Sequence, residues 1–166
     1  MNKRKITAAA VILLILAAAA FHFLFPFLRD GRFAKAEHFL VLRDGHTDKE
    51  ITRYPFSPDD RFSIEFIHSV NKSPVIDVYE VREGHIFVVE TVYYHFGAGV
   101  PTELNEGETL TYGEDGSMII SGIDKSVDPL YYIVGTVSDH TLSIGGSSIS
   151  LRNLCGKNRL VKFCYE

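Results

Sequence analysis

The chain has 166 residues and a net charge of −4 with neutral histidines, from 17 basic and 21 acidic side chains. Three of the basic residues but none of the acidic ones precede residue 29, so the rest of the chain has 14 basic residues, 21 acidic ones and a net charge of −7. This charge argues against a nucleic-acid partner, and the absence of a polybasic patch argues against electrostatic adsorption to anionic lipid.

The first 28 residues predict a membrane anchor. Met1 to Lys5 is a cationic stretch, and residues 6–28 contain no formal charge. About 20 apolar residues suffice to cross a bilayer core of about 30 Å, and basic residues before the span hold the N-terminus in the cytoplasm. We therefore expect one N-terminal transmembrane helix in the cytoplasmic (inner) membrane, a linker at 29–37 and an extracytoplasmic domain at 38–166.

A cleaved signal peptide is the alternative for the same segment. Ala18, Ala19 and Ala20 satisfy the small-residue rule for cleavage. Apolar residues continue to Leu28, however, and cleavage would leave them at the mature N-terminus. Length favours an uncleaved signal-anchor, and both alternatives export the same domain.

The exported part predicts an all-β domain, a single antiparallel sandwich or barrel-like structure. Short runs of Val, Ile, Phe, Tyr and Thr alternate with turn residues, and almost no stretch sustains a helical period. Many short strands with regular turns are typical of sandwiches and barrels. The predicted strands are 38–43, 49–54, 61–69, 75–82, 85–95, 109–112, 117–121, 130–137, 140–144, 147–151 and 159–165.

Cys155 and Cys164 are the only two cysteines. A turn signal lies between them, and disulfides persist in an extracytoplasmic compartment. A disulfide that closes a hairpin is therefore expected, and two unpaired thiols are the alternative. Neither cysteine has further Cys or His residues at metal-ligand spacing.

The register of the central strands predicts a polar cluster on an apolar face. A two-residue turn at Asn71-Lys72 pairs residues whose numbers sum to 143, and a turn at Glu83-Gly84 pairs residues whose numbers sum to 167. Asp77 would then lie opposite both Phe66 and Glu90. His68 would lie within one or two pair positions of the two carboxylates.

Two opposed carboxylates on an apolar face need compensation. They could share a proton, or pair with Lys72 or a protonated His68. With His68 they could hold a metal ion, because one imidazole and two carboxylates form a suitable ligand set. Finally, the sheet edge could open to water there, which would make the cluster a solvated rim. No resident cofactor is expected.

Two loops at the same end of these strands are rich in residues typical of binding sites, polar ones in the first loop and glycines in the second. The first joins the strands after Ile67, and the second follows His95 with glycines that permit close backbone approach or an anion-binding nest. The antiparallel order places them side by side, so a small site could form between them. The candidate binding or interaction residues are His68, Ser69, Asn71, Lys72, Asp77, Glu90, Gly97, Gly99 and Pro101.

An enzyme is not expected from these residues. The simplest version would be a hydrolase with Ser69 as nucleophile and either His68 or Asp77 as base. Adjacent residues of a strand point to opposite faces, so this imidazole cannot easily reach the Ser69 hydroxyl. A Gly-x-Ser-x-Gly nucleophile elbow is absent as well.

A specific pattern of residues lies in and around these loops: His68-Ser69-Val70, Lys72, Pro74-Val75, Asp77, Tyr79, Val81, Phe96-Gly97-Ala98-Gly99 and Pro101. This pattern resembles the domain of unknown function 1850 family, and the resemblance covers most of residues 38–165. Members are small exported or anchored proteins encoded beside TAXI-type TRAP transporters. The resemblance implies an accessory role, with the membrane or solute-binding subunits of such a transporter as partners. At the position of Asp77 the family usually has glutamate.

The sequence thus supports two functions. The first is a membrane-anchored accessory or interaction protein, in which the anchor confines the domain close to a membrane partner. The alternative is a small-ligand or metal-binding β-domain that uses His68, Lys72, Asp77 and Glu90.

Overall fold

The computed structural model describes residues 38–95 and 103–166, and strands are the predominant secondary structure within them. Every predicted strand overlaps an observed one, so the all-β prediction is confirmed. The elements are β1 (Phe39–Asp44), β2 (Glu50–Pro55), β3 (Arg61–Ile67), β4 (Pro74–Arg82), β5 (His85–Tyr93), β6 (Thr109–Tyr112), β7 (Met118–Ser126), β8 (Leu130–Ile133), β9 (His140–Ile144), β10 (Ser147–Ser150), α1 (Leu151–Cys155) and β11 (Leu160–Tyr165).

The strands form two antiparallel sheets. The four-stranded sheet has the order β2-β1-β11-β8, and the seven-stranded sheet has the order β10-β9-β3-β4-β5-β7-β6. Chain neighbours β3, β4 and β5 lie side by side in the larger sheet, as the predicted meander requires.

An apolar core lies between the two sheets. Phe62 of β3 stacks on Tyr79 of its own sheet, with ring centroids 4.9 Å apart, and on Phe163 of the other sheet at 6.0 Å. Alternation along each strand places such residues on one face. The buried core residues are Leu40, Leu42, Phe56, Phe62, Ile64, Tyr79, Val81, Ile86, Leu130, Val134, Leu142, Ile144, Leu151, Val161 and Phe163.

The predicted register of the first hairpin is wrong by two residues. Phe62 lies opposite Tyr79, and Ile64 lies opposite Asp77, so paired numbers sum to 141. The cause is the connection, which has four residues between His68 and Ser73 instead of the predicted two. The amide of His68 donates to the Ser73 carbonyl at 2.9 Å and closes this loop.

The second hairpin is correct near its turn and wrong beyond it. Val81 faces Ile86 as predicted, and the turn residues Glu83 and Gly84 have φ values of 51° and 83°, as a primed two-residue turn requires. The register then shifts between Val78 and Tyr79. Such a β-bulge sets one extra residue against the partner strand and moves every later side chain by one position.

The short helix α1 was not predicted from the sequence. The Ser150 side chain caps it by accepting from the amide of Asn153 at 3.0 Å. One carboxylate oxygen of Asp139 accepts from the amides of His140 and Arg152, at 2.7 and 2.9 Å. This bond network fixes α1 against the start of β9.

The predicted anchor at 1–28 and linker at 29–37 lie outside the described residues. Within 38–95 and 103–166, no helix has the length and apolar character needed to cross a membrane.

Candidate functional site

The loop between β3 and β4 is built around His68. Its Nδ1 accepts hydrogen bonds from the amides of Val70 and Asn71, at 3.2 and 3.3 Å, and its carbonyl accepts from the amide of Lys72 at 3.0 Å. Lys72 has a φ of 55°, in the left-handed region that a tight reversal requires. These bonds fold residues 68–73 into a compact loop. We call these residues, together with Ile67 at the end of β3, the His68 loop.

A second loop contacts the His68 loop. Residues 134–139 connect β8 to β9 and form what we call the β8–β9 loop. The hydroxyl of Ser138 in this loop donates to the carbonyl of Ile67 at 3.4 Å. The two loops therefore meet at one end of β3.

Aliphatic side chains point into solvent from these loops. Ile67, Val70 and Val137 are 37%, 67% and 89% exposed. Lys72 is also exposed. Together these four residues define what we call the loop surface. Single exposed apolar residues are ordinary, but apolar residues grouped on two touching loops are typical of interaction sites.

His140 packs behind the loop surface. Its ring stacks on Phe66 with centroids 5.5 Å apart and meets the Tyr132 ring edge-on at 5.4 Å. Its Nδ1 accepts from the amide of Gly135 at 3.1 Å, which closes the β8–β9 loop. Burial lowers the pKa of His140, against the opposing effect of Asp139, so the neutral ring is favoured.

Asp77 ties the two sheets together beside these loops. Its carboxylate accepts from Thr91 at 2.8 Å, from Tyr132 at 3.2 Å and from Tyr79 at 3.5 Å. The Tyr79 and Tyr132 hydroxyls lie 2.5 Å apart. Tyr132 belongs to the four-stranded sheet and the other three residues to the seven-stranded one, so we call this group the intersheet tie.

Burial dominates the electrostatics of the intersheet tie. It raises the pKa of Asp77, although the hydrogen bonds from Thr91, Tyr132 and Tyr79 oppose that shift. Burial also raises the pKa values of Tyr79 and Tyr132, and the neighbouring carboxylate adds to both shifts. Both phenols therefore stay protonated and act as donors.

The predicted convergence of His68, Asp77 and Glu90 is not formed. Because of the β-bulge, Asp77 lies opposite Thr91, whereas Glu90 lies opposite Val78 and shares the other face of the sheet. Glu90 accepts instead from the Ser121 hydroxyl at 3.0 Å.

His68 is also farther from Asp77 than predicted, because it belongs to the loop and Asp77 pairs with Ile64. Within the described parts of the chain, no group of three or more His, Cys, Asp or Glu residues could hold a metal ion.

The remaining predicted residues divide into two sets. Ser69 is exposed and Asn71 half-buried, both in the His68 loop. Gly97, Gly99 and Pro101 lie outside the described residues.

The predicted disulfide is absent, and both cysteines are free thiols. Cys155 ends α1 and packs against the apolar core. Cys164 of β11 alternates with the core residue Phe163 and lies opposite Val41 of β1. Burial raises the pKa of each thiol, which keeps both protonated.

Sequence reasoning missed four residues that shape this site: Thr91, Tyr132, His140 and Ser138. The β-bulge places Thr91 opposite Asp77. A single sequence does not show where such a bulge occurs. Tyr132 and His140 reach the site through contacts between strands far apart in sequence, which hairpin register cannot predict.

The comparison with protein families identifies the chain. The model of a family described as a domain of unknown function (DUF1850) matches residues 62–151, which is more than half of the chain. The chain therefore belongs to this family, as its motifs predict. The matched region includes the His68 loop, the intersheet tie and His140. No curated protein and no solved structure matches the chain.

Proposed function

We propose that this chain is a membrane-anchored extracytoplasmic accessory protein that binds a subunit of a TAXI-type TRAP solute transporter through the loop surface. One observation carries the proposal. The family motif at His68 builds a hydrogen-bonded loop that holds Val70 and Lys72 out in solvent.

The loop surface has the character of a preformed interface. Val70 is the most exposed apolar residue of the His68 loop, and Val137 projects from the loop that contacts it. Backbone hydrogen bonds fix both loops before any partner arrives, which reduces the entropy lost on binding.

The predicted anchor supports the choice of a membrane partner. A tether at the bilayer raises the effective concentration of the domain near a membrane protein, so a small contact area suffices. The TRAP transporter itself is proposed from the resemblance to a family whose members are encoded beside such transporters.

The same geometry favours binding over catalysis at His68. Its Nδ1 already accepts two backbone amides. To act as a general base through that nitrogen, the ring would have to break the bonds that shape the loop.

The test is co-expression of the full chain with the membrane subunit or the solute-binding subunit of the TAXI-type TRAP transporter encoded beside it. Affinity capture of the full chain from detergent should retain one subunit. The double substitution Val70→Ser and Val137→Ser should reduce that capture at least about tenfold, because each loses apolar contact at the interface centre.

The matched control is Tyr112→Ser. Tyr112 is 64% exposed and lies on β6, at the edge of the seven-stranded sheet. Capture that survives the loop substitutions but falls with Tyr112→Ser would place the interface elsewhere. Capture of neither subunit by the unsubstituted chain would overturn the proposal.

A further inference from the structure

Two histidines at the loop surface use the same ring atom for the same task. Nδ1 of His68 accepts from the amides of Val70 and Asn71, and Nδ1 of His140 accepts from the amide of Gly135. A backbone amide can only donate, so each Nδ1 must carry a lone pair. Both rings are therefore neutral, with their proton on Nε2.

The His68 loop and the β8–β9 loop are in contact at the end of β3. Ser138 donates to the carbonyl of Ile67, immediately before His68. His140 stacks on Phe66, one residue earlier in β3. Both contacts are therefore made with the end of β3 that leads into the His68 loop.

The surroundings of His140 favour a neutral ring in the folded chain. The charged neighbours are Asp139 at the end of the β8–β9 loop and Arg152 on α1, and the Tyr132 ring packs against it from β8. Burial lowers the pKa of His140 most, Asp139 opposes this, and Arg152 adds to it. Because the folded pKa is depressed, stabilisation from this ring is present above the ordinary value of 6.5 and is lost as the pH falls.

Within the His68 loop the charged side chain is that of Lys72, whose amide donates to the His68 carbonyl.

We propose that His68 and His140 form a proton-operated switch on the loop surface. Neutral rings hold the His68 loop and the β8–β9 loop closed. A proton on Nδ1 occupies the lone pair to which an amide donates, so protonation of the rings deprives the amides of Val70, Asn71 and Gly135 of their acceptor. This inference deepens the proposed function and rests on it, since an extracytoplasmic interface experiences the pH of its surroundings.

The test is amide hydrogen exchange on the full chain in detergent, from pH 7.5 to pH 5, corrected for the intrinsic pH dependence of exchange. Protection of the amides of Val70, Asn71 and Gly135 should fall by roughly a factor of five, the equivalent of one ordinary hydrogen bond. The amide of Val127, which donates to the Ile86 carbonyl at 2.9 Å, should stay protected as an internal reference.

Conservative variants distinguish the proposed switch from a general loss of protection at low pH. In the double variant His68→Asn and His140→Asn, the amide oxygen can replace Nδ1 as acceptor but does not titrate. Protection should persist and no longer depend on pH. His85→Asn is the matched control, because His85 is exposed and its ring contacts Asp128 in the segment between β7 and β8, away from both loops. It should leave the response unchanged.

A second measurement needs no variant. Nitrogen NMR of the imidazole rings should find the proton of both histidines on Nε2 at pH 7.5. A proton on Nδ1 at that pH would overturn the switch, as would equal pH dependence in the unsubstituted chain and the double variant.

Partner capture at the two pH values distinguishes this inference from the proposed function. Loops that open in acid without capture of any transporter subunit would overturn the function and leave the switch standing. Capture that is independent of pH, together with loops that stay closed, would overturn the switch alone.

Discussion

The hydroxyl of Tyr132, on the four-stranded sheet, donates a 3.2 Å hydrogen bond to the carboxylate of Asp77, on the seven-stranded sheet. Tyr132 also contacts the ring of His140. The intersheet tie therefore connects the two sheets to each other. Through Tyr132 it also contacts His140, the residue that packs behind the loop surface. Several measurable properties depend on this arrangement.

Tyr132→Phe should destabilise the fold. The substitution keeps the ring but removes one donor to Asp77 and the partner of the Tyr79 hydroxyl. We expect the free energy of unfolding to fall by about 1–2 kcal/mol, measured by urea denaturation. Tyr131→Phe is the control, because Tyr131 is 49% exposed and alternates with Tyr132 along β8. Equal effects of the two substitutions would show that the tie does not stabilise the fold.

Asp77→Asn should change how stability depends on pH. Burial raises the pKa of Asp77 above its ordinary value of 3.8, so the folded chain binds this proton more tightly than the unfolded chain. Its stabilising contribution is therefore present in acid and is lost as the pH rises through the folded pKa. Urea denaturation between pH 3 and pH 7 should show a smaller loss of stability with rising pH in the variant. An identical pH profile for variant and parent would contradict this.

Asp44→Asn should change the pH dependence of stability in the opposite direction. Hydrogen bonds from the amide and hydroxyl of Thr47 lower the pKa of Asp44 to about 2, with smaller contributions from His46 and Arg159. The depressed pKa means that Asp44 stabilises the fold above pH 3.8 and that this contribution fades as the pH falls towards 2. The variant should be less stable than the parent at pH 7, and the difference should narrow in acid. A difference that is constant with pH would rule out this account of Asp44.

Phe62→Ala should cost the most stability of the substitutions considered. Phe62 is fully buried and stacks on residues of both sheets. Loss of its ring leaves a cavity in the core, and the expected decrease in the free energy of unfolding is about 3–5 kcal/mol. Phe87→Ala, a half-buried position on β5, should cost less. Comparable losses in thermal or urea denaturation would mean that the core is centred elsewhere.

The sequence predicted the strands well because alternation of side chains and turn residues are local signals. The Glu83-Gly84 turn shows this, since a two-residue primed turn fixes the adjacent pairs without knowledge of the rest of the fold. Assignment of strands to two sheets was not predictable, because β8 pairs with β11 and β9 with β3 across long stretches of sequence.

The candidate site was predicted in part. The His68 loop stood out because polar residues were concentrated between two strong strands, and the structure places those residues together. The predicted acidic cluster does not form, because a shift of one residue in register turns a side chain to the opposite face of the sheet. One bulged residue moved Glu90 to the opposite face from Asp77, and a four-residue loop moved His68 away from it.

The most direct measurement of the central claim is site-specific photo-crosslinking in intact cells. A photoreactive phenylalanine analogue in place of Val70 should crosslink the full chain to the membrane or solute-binding subunit of the TAXI-type TRAP transporter, and the same analogue in place of Tyr112 should not. Crosslinks from both positions alike, or from neither, would contradict a transporter interface at the loop surface.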